Sequence, residues 1–419
     1  MRILWLSHLV PYPPSTGAMQ RSFHLLRAAA AAHEVTLLAF NQARLLGSAE
    51  ELEAARDALA RICARVVVHP IPADASPLAR LRVVLRGARS SHPYVALWLD
   101  SAPFRRDLAA LLEGVPFDLV HVDTLGLAPH VPSASPLPVV LDHHNVESHL
   151  MARRAARERH PLRRWYFRRE AAKLAAAERR HAARAAVNLV VSELDGARLR
   201  EAAGDVRIAL CPNGTDPDYF APRPVAPEPG HLLFVGSLAW YPNRQGLGFF
   251  LREVWPRLTG RRPSVRLTVV GADPFPDLLR AARADDRIRV AGRVDDVRPY
   301  YERAAVVVCP VLDGGGTRLK VLEAMAMARP VVSTSLGCEG LALEAGRHYL
   351  RADTPEEFAA QIGRLLDDPG LARRLGEAGR VHVLACYAWP AIARRLLDVY
   401  AEAAGRRGAA AGRAALALR

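Results

Sequence analysis

Residues 313–325, Asp-Gly-Gly-Gly-Thr-Arg-Leu-Lys-Val-Leu-Glu-Ala-Met, put a pliable backbone, two cations and two carboxylates into one short segment. Gly314, Gly315 and Gly316 follow an apolar run, Val306 to Leu312, that reads as a buried strand. A helix-forming stretch comes next and ends before Arg329-Pro330. A strand, a glycine loop and a helix start together let backbone N–H groups, here of 314–317, face an anion. Arg318 and Lys320 add positive side chains in the first turns, and Glu323 adds a hydrogen-bond acceptor. Lys320 is one of only two lysines, the other being Lys173, in a chain whose cations are otherwise arginine. A compact, flexible ammonium serves where a planar guanidinium would not.

Four other strand ends carry polar residues. The first strand is followed by Ser7-His-Leu-Val-Pro-Tyr-Pro-Pro-Ser-Thr-Gly17-Ala-Met-Gln-Arg21. A dinucleotide-binding domain needs G-x-G-x-x-G there, so its absence removes most of the weight from an NAD-dependent reading. Gly17 ends this loop at a helix start, either as a backbone approach to phosphate or as a plain flexible residue. Directly after Val139–Leu141 lies Asp142-His-His-Asn-Val-Glu-Ser, in which adjacent histidines alternate sides, so one of them faces a ligand. No second ligand pair at i, i+4 accompanies them, and no metal is expected. Satisfied loop histidines are the competing reading. Gly236, Ser237 and Arg244 follow a third apolar run, and Ala291-Gly-Arg293 repeats the strand-then-glycine order.

The elements that must position these residues alternate between apolar, strand-like runs and helical segments. Arg2–Leu6, Val35–Phe40, Val66–Val68, Leu119–Val122, Val139–Leu141 and Leu189–Val191 read as strands, with Arg21–Ala32 as a helix. This alternation is the signature of a parallel sheet covered by helices. Six prolines within 212–229 then exclude a regular element. The pattern restarts with Leu232–Val235, a helix over Gly246–Leu258, and strands at Val265–Val270, Ile288–Val290, Val306–Val308 and Pro330–Ser333. The expected fold is α/β, with two doubly wound Rossmann-like domains facing a cleft. The first spans 1–211, a linker 212–230, and the second 231–385. A helix over 386–404 crosses back to the first domain, and 405–419 form a flexible Ala/Arg-rich tail.

A chain of 419 residues suits two or three domains at about 150 residues each. Half of it is hydrophobic and 24% is charged, an ordinary globular composition. The formal net charge is +14, and residues 151–184 hold twelve Arg/Lys against three Glu. Such a segment suits anionic lipid, a phosphorylated acceptor or nucleic acid, or is a solvated helix face. The five scattered cysteines read as reduced thiols. No run approaches the roughly 18 apolar residues of a membrane span, and Met1–Leu6 is too short for a signal core. The expected location is cytoplasmic.

The C-terminal half resembles the donor half of a retaining glycosyltransferase of family 4, which has the two-domain GT-B fold. The resemblance covers most of the chain. Its landmarks are Pro212-Asn-Gly-Thr-Asp216, Val235-Gly-Ser, Gly292-Arg293, Leu322-Glu-Ala-Met-Ala and Pro330-Val-Val-Ser. Ser7-His-Leu-Val-Pro-Tyr-Pro and Asp142-His-His-Asn-Val-Glu-Ser resemble a bacterial subgroup linked to exopolysaccharide or cell-surface glycan assembly. The resemblance implies transfer of a hexosyl-type sugar from a nucleoside-diphosphate donor, without metal or other cofactor, to a glycan or lipid-linked acceptor. It implies Glu323 at the nucleotide ribose, Arg318, Lys320 and the glycine loop at the diphosphate or sugar, and His144 near the transferring sugar. Two departures stand out. Family members often carry a second glutamate where this chain has Gly315, and Asp313 is the candidate to replace its sugar contact. Ser237 stands where an arginine is usual, and Arg244 lies only loosely near the lysine position. Arg318 and Lys320 are therefore expected to supply the charge a diphosphate leaving group requires.

Gly315 leaves open a catalytically silent nucleotide-sugar-binding scaffold, or a GT-B epimerase. The lack of any recognisable module argues against nucleic acid. The helix expected from about Leu162 to Arg184, opening on Trp165-Tyr166-Phe167, points instead to peripheral contact with anionic membrane, at the inner face of the plasma membrane.

Overall fold

Apolar runs become strands here because both faces of each sheet are covered. In the structure, a computed structural model describing residues 1–417, with side chains through 405, the chain divides into two units. Unit 1 comprises Met1–Pro212 and the chain from Ile392 onward, and unit 2 comprises Asn213–Ala391.

Unit 1 holds β1 (Arg2–Ser7), β2 (Glu34–Asn41), β3 (Arg65–Pro70), β4 (Leu119–Val122), β5 (Val139–His143), β6 (Val187–Val190) and β7 (Ile208–Leu210). They form one parallel sheet in the order β3-β2-β1-β4-β5-β6-β7. Unit 2 holds β8 (His231–Val235), β9 (Arg266–Val270), β10 (Ile288–Gly292), β11 (Val306–Cys309), β12 (Val331–Ser333) and β13 (Leu350–Arg351). Their order is β10-β9-β8-β11-β12-β13, again parallel. The period-2 alternation of a strand sorts its residues between two core layers. Leu232, Phe234, Val306 and Val308 enter one layer, and Leu233, Val235, Val307 and Cys309 the other. Each such fully buried side chain contributes about 1.5–3 kcal/mol, which is why these strands read as unbroken apolar runs.

In each sheet the strand order reverses once, between β1 and β4 and between β8 and β11. Connections diverge there, and the carboxyl ends of the two central strands leave a crevice for polar groups. Both candidate sites lie at these reversals.

Several boundaries differ from the sequence expectation. The first helix is Gly17–Ala32, not Arg21–Ala32, because the Thr16 hydroxyl caps Met19 N at 3.3 Å. The expected helix from Gly246 begins instead at Tyr241, with Pro242 in its first turn, and runs to Phe249. A wide turn, Phe250–Val254, then joins it to Trp255–Arg261. Residues 212–230 hold no helix or strand, and the unit boundary falls at their start. The remainder stays with unit 2: Thr215 N donates to Tyr387 O at 2.8 Å, and Phe220 packs edge-on to Tyr301. The last helix is Trp389–Ala417, so its backbone continues through most of the stretch expected as a flexible tail. Residues 418 and 419 lie outside the described residues. Among the described residues, no helix is long and apolar enough to cross a membrane, and all five cysteines are free.

Candidate active site

In unit 2 the chain leaves β8 at Gly236, whose φ is 149°. A Cβ built there would sit 2.6 Å from Lys320 Nζ and 2.7 Å from Asn243 Nδ2, so only glycine leaves the ammonium its place. Lys320 lies in the first turn of the helix Leu319–Ala326. Its Nζ donates to Asn243 Oδ1 at 2.7 Å and stands 4.2 Å over the Phe234 ring. Asn243 Nδ2 in turn donates to Ser237 O at 2.8 Å. Burial pushes the Lys320 ammonium down to about 8, with Arg318 adding to the push. Among the described residues an amide oxygen and a ring face receive this cation, a place an anion would complete.

The glycine loop is braced by its own arginine. Arg318 Nη1 donates to the carbonyls of Gly315 and Gly316, and its guanidinium lies 5.4 Å over the Trp240 ring. In a trans peptide the C=O of one residue and the N–H of the next point in opposite directions. The N–H groups of Gly316 and Thr317 therefore turn away from Arg318. Asp313, buried, accepts from Gly314 N at 2.7 Å and from Tyr241 Oη at 3.1 Å. Thr317 Oγ1 accepts from Asn213 Nδ2 at 3.1 Å. One turn beyond Lys320, buried Glu323 accepts through Oε2 from Tyr301 Oη at 3.0 Å. Burial and the Glu323 carboxylate hold the Tyr301 hydroxyl well above its ordinary range, so it stays a donor.

The other residues singled out in unit 2 are more exposed. Ser237 and Arg244 are exposed, the latter within the helix Tyr241–Phe249. Arg293 is exposed beyond β10, which is an edge strand two places from β8. The sequence reading missed Asn243 and Tyr301. Asn243 carried a signal, since it falls in the first turn of the helix that follows β8; Tyr301 carried none.

Unit 1 places a second polar cluster at its own strand reversal. Asp123, just past β4 and fully buried, accepts from Ser22 Oγ at 2.6 Å, Ser7 Oγ at 2.9 Å and His144 Nε2 at 3.0 Å. His8 Nδ1 stands 3.6 Å from the same carboxylate. Burial alone would raise the Asp123 pKa, but His144 and His8 hold it well below the usual range. Burial lowers His144, yet Asp123 and then Asp142 more than reverse this, and its pKa ends above the ordinary value. This shifts the pair toward an imidazolium bound to a carboxylate. His143 points the other way, to Asn188 Oδ1 at 3.0 Å, so the two histidines divide as their alternation required. Fully buried Arg21 clamps Asp142 through two bonds, 2.9 and 2.7 Å, and donates to Cys211 O at 2.8 Å. Glu147 begins the next helix, Glu147–Arg157, and burial, then Glu178, pushes its carboxyl up to about 7. Gly17, also in unit 1, is exposed at the first position of its capped helix. Asp123 and Arg21 were not foreseen as partners.

His121, Asp123 and Asp142 offer ligand atoms within 4.8 Å of one another, as a metal would require. Their oxygens are already engaged: Asp142 by both arms of Arg21, and Asp123 by two hydroxyls and an imidazole. The cluster's charge is balanced by the protein's own cations.

Known proteins bear on this arrangement. A family model described as "Glycosyltransferase Family 4" matches residues 16–219, and one described as "Glycosyl transferases group 1" matches 229–368. The chain belongs to the group 1/family 4 glycosyltransferases. Its two Rossmann-like domains are those of the GT-B architecture. Sucrose-phosphate synthase from Thermosynechococcus elongatus has a TM-score of 0.69 to this glycosyltransferase at 19% identity, covering 96% of this chain and 99% of that one. HepE of Anabaena, solved in complex with UDP, has a TM-score of 0.66 at 15% identity, covering 96% and 100%. In sequence, the D-inositol 3-phosphate glycosyltransferase of Kineococcus radiotolerans is 30% identical over 242 residues, 50% of this chain and 55% of that protein. The chain spans about half or less of the length of the curated relatives it matches.

Proposed function

We propose that this glycosyltransferase moves a hexosyl-type sugar from a nucleoside-diphosphate donor to an acceptor hydroxyl with retention at the anomeric carbon, without a metal, in cell-surface polysaccharide or glycolipid synthesis. One observation carries the reading: Lys320 and Glu323 lie buried one turn apart on the helix after the glycine loop, at the strand reversal of unit 2. Lys320 and the N–H groups of Gly316 and Thr317 neutralise the diphosphate, and Glu323, oriented by Tyr301, accepts from ribose hydroxyls. Arg318 acts by shaping the loop, and its charge adds to the local positive field. In unit 1, His144 with Asp123 steadies the sugar or acceptor. As the leaving bond breaks, charge builds on the diphosphate, where fixed cations and N–H dipoles act most strongly. Complexes of HepE with UDP and with UDP-glucose support a uridine nucleotide as the first donor to test.

Thermal shift with UDP, GDP, ADP and TDP tests the donor half. A nucleotide at about 100 times its Kd adds roughly 2.7 kcal/mol of apparent stability, and no response to any of them refutes the reading. Gly315, where a carboxylate is common in such proteins, sustains the silent-scaffold alternative. That alternative is established if nucleotide binding is normal while neither transfer nor donor hydrolysis occurs.

A further inference from the structure

The helix Pro77–Arg89 in unit 1 presents its apolar side the wrong way for a surface helix. Leu78, Leu81 and Leu85, spaced i, i+3, i+7, are 56%, 51% and 54% exposed, and Val84 beside them is also exposed. A surface helix normally turns such a stripe toward the core. Here the inward side is held by other means: Val83 meets the core, Gly87 is buried, and Arg80 pairs with Asp74 at 2.9 Å. Arg82, Arg86 and Arg89 border the outward ridge along one edge; Arg86 also pairs with Asp100 at 2.9 Å, and the helix itself contains no acidic residue.

A second element continues the ridge. Arg169, on the helix Pro161–Ala182, donates to Ala88 O at 3.1 Å and lies 5.8 Å over the Trp165 ring. Lys173 Nζ donates to Gly87 O at 2.6 Å. These bonds tie the helix that carries exposed Trp165, and exposed Leu162 one turn before it, to the carboxyl end of Pro77–Arg89. The exposed Arg163, Arg164 and Arg168 surround them.

We propose that this ridge is a membrane-surface anchor: Leu78, Leu81, Leu85 and Trp165 enter the boundary between headgroups and acyl chains of an anionic bilayer, and the bordering arginines bind its phosphates. The chemistry favours this occupant over others. Apolar residues, an interfacial tryptophan and flanking arginines form the pattern of an interfacial helix. A protein interface core would be depleted of charge, and a nucleic-acid surface has no use for a row of leucines. The proposal deepens the acceptor half of the reading above and rests on it for the claim that the acceptor is held at a membrane. It also extends the anchor expected over 151–184 to an apolar ridge on the helix Pro77–Arg89.

Co-sedimentation of the full chain with phosphatidylcholine vesicles, with and without phosphatidylglycerol, tests it. The wild type is expected to sediment with the anionic vesicles, more weakly at high salt, and the double variant Leu81→Glu/Leu85→Glu to lose about tenfold or more of that binding. The nucleotide response by thermal shift should be unchanged in the variant, showing it folded. The variant Leu81→Ala/Leu85→Ala, which adds no charge, should fall between the two. No binding of the wild type at low salt, or equal binding by the glutamate variant, overturns the proposal. So does light scattering that shows a dimer dissolved by the variant with no vesicle binding, since the ridge would then join two copies. Loss of the nucleotide response with vesicle binding intact would remove the donor reading alone.

Discussion

Replacing Lys320 by Met should stabilise the protein while weakening its hold on nucleotide. Burial moves the ammonium from 10.5 to about 8. At about 1.4 kcal/mol per unit, keeping it charged at pH 7 costs roughly 3 kcal/mol relative to the unfolded chain. Methionine has similar length and no charge, but it leaves Asn243 Oδ1 without its 2.7 Å donor, a loss of about 1–2 kcal/mol. The net gain should be about 1–2 kcal/mol, at about 2–4 °C of Tm per kcal/mol for a unit of this size. The sign has a pH test. Between about 8 and 10.5 the unfolded chain holds a proton that the folded one releases, so wild-type stability rises with pH across that window. The variant's advantage should be full below pH 8 and shrink above it. Losing a buried cation that meets a diphosphate costs about 2–5 kcal/mol, so Kd for the nucleotide should rise by roughly 30-fold or more. Thermal melts across pH and calorimetric titration with UDP measure both effects. A lower Tm for the variant at pH 7, or an unchanged Kd, would refute the argument that the lysine is kept at a cost to stability for an anion.

Three further outcomes follow from the same geometry. Glu147→Gln should leave Tm unchanged near pH 4.5 and raise it above pH 7, because the carboxyl titrating at about 7 loses stability as pH rises between its unfolded and folded values. Partial exposure of Glu147 holds the gain to about 1–2 kcal/mol, read from melts at pH 5 and pH 8. Asp123→Asn removes the anion that raises His144, so the alkaline limb of kcat should move to lower pH and kcat should fall about 10- to 100-fold. UDP affinity should stay within about twofold in that variant, since the carboxylate lies outside the unit 2 site. Gly236→Ala puts a side chain at φ 149° and 2.6 Å from Lys320 Nζ, which should cost about 1–3 kcal/mol of stability and weaken UDP binding by calorimetry.

What the sequence revealed and what it hid have the same physical source. Strands buried on both faces print themselves as apolar runs, so Leu232–Val235 and Val306–Val308 could be read directly. Lys320 and Glu323 were legible because they sit one turn apart on the helix that follows the glycine loop. Their partners come from strand order, which the sequence does not print. Asn243 meets Lys320 across 77 residues, and Arg21 meets Asp142 across 121, where the sheet order brings distant connections together. Arg318 shows a second limit: its position fixes a cation near the loop, but only the structure shows its Nη1 turned to the Gly315 and Gly316 carbonyls. The Pro77–Arg89 ridge shows a third. Apolar residues at i, i+3, i+7 announce an amphipathic helix without saying which side meets the sheet, so an outward stripe and an inward one have the same spelling. Only the placement of Val83 and Gly87 against the unit, with Leu81 and Leu85 in the open, separates them. Residues such as Lys320 and Leu81, whose environments cost stability in the isolated chain, are therefore the ones whose function is best sought in what binds them.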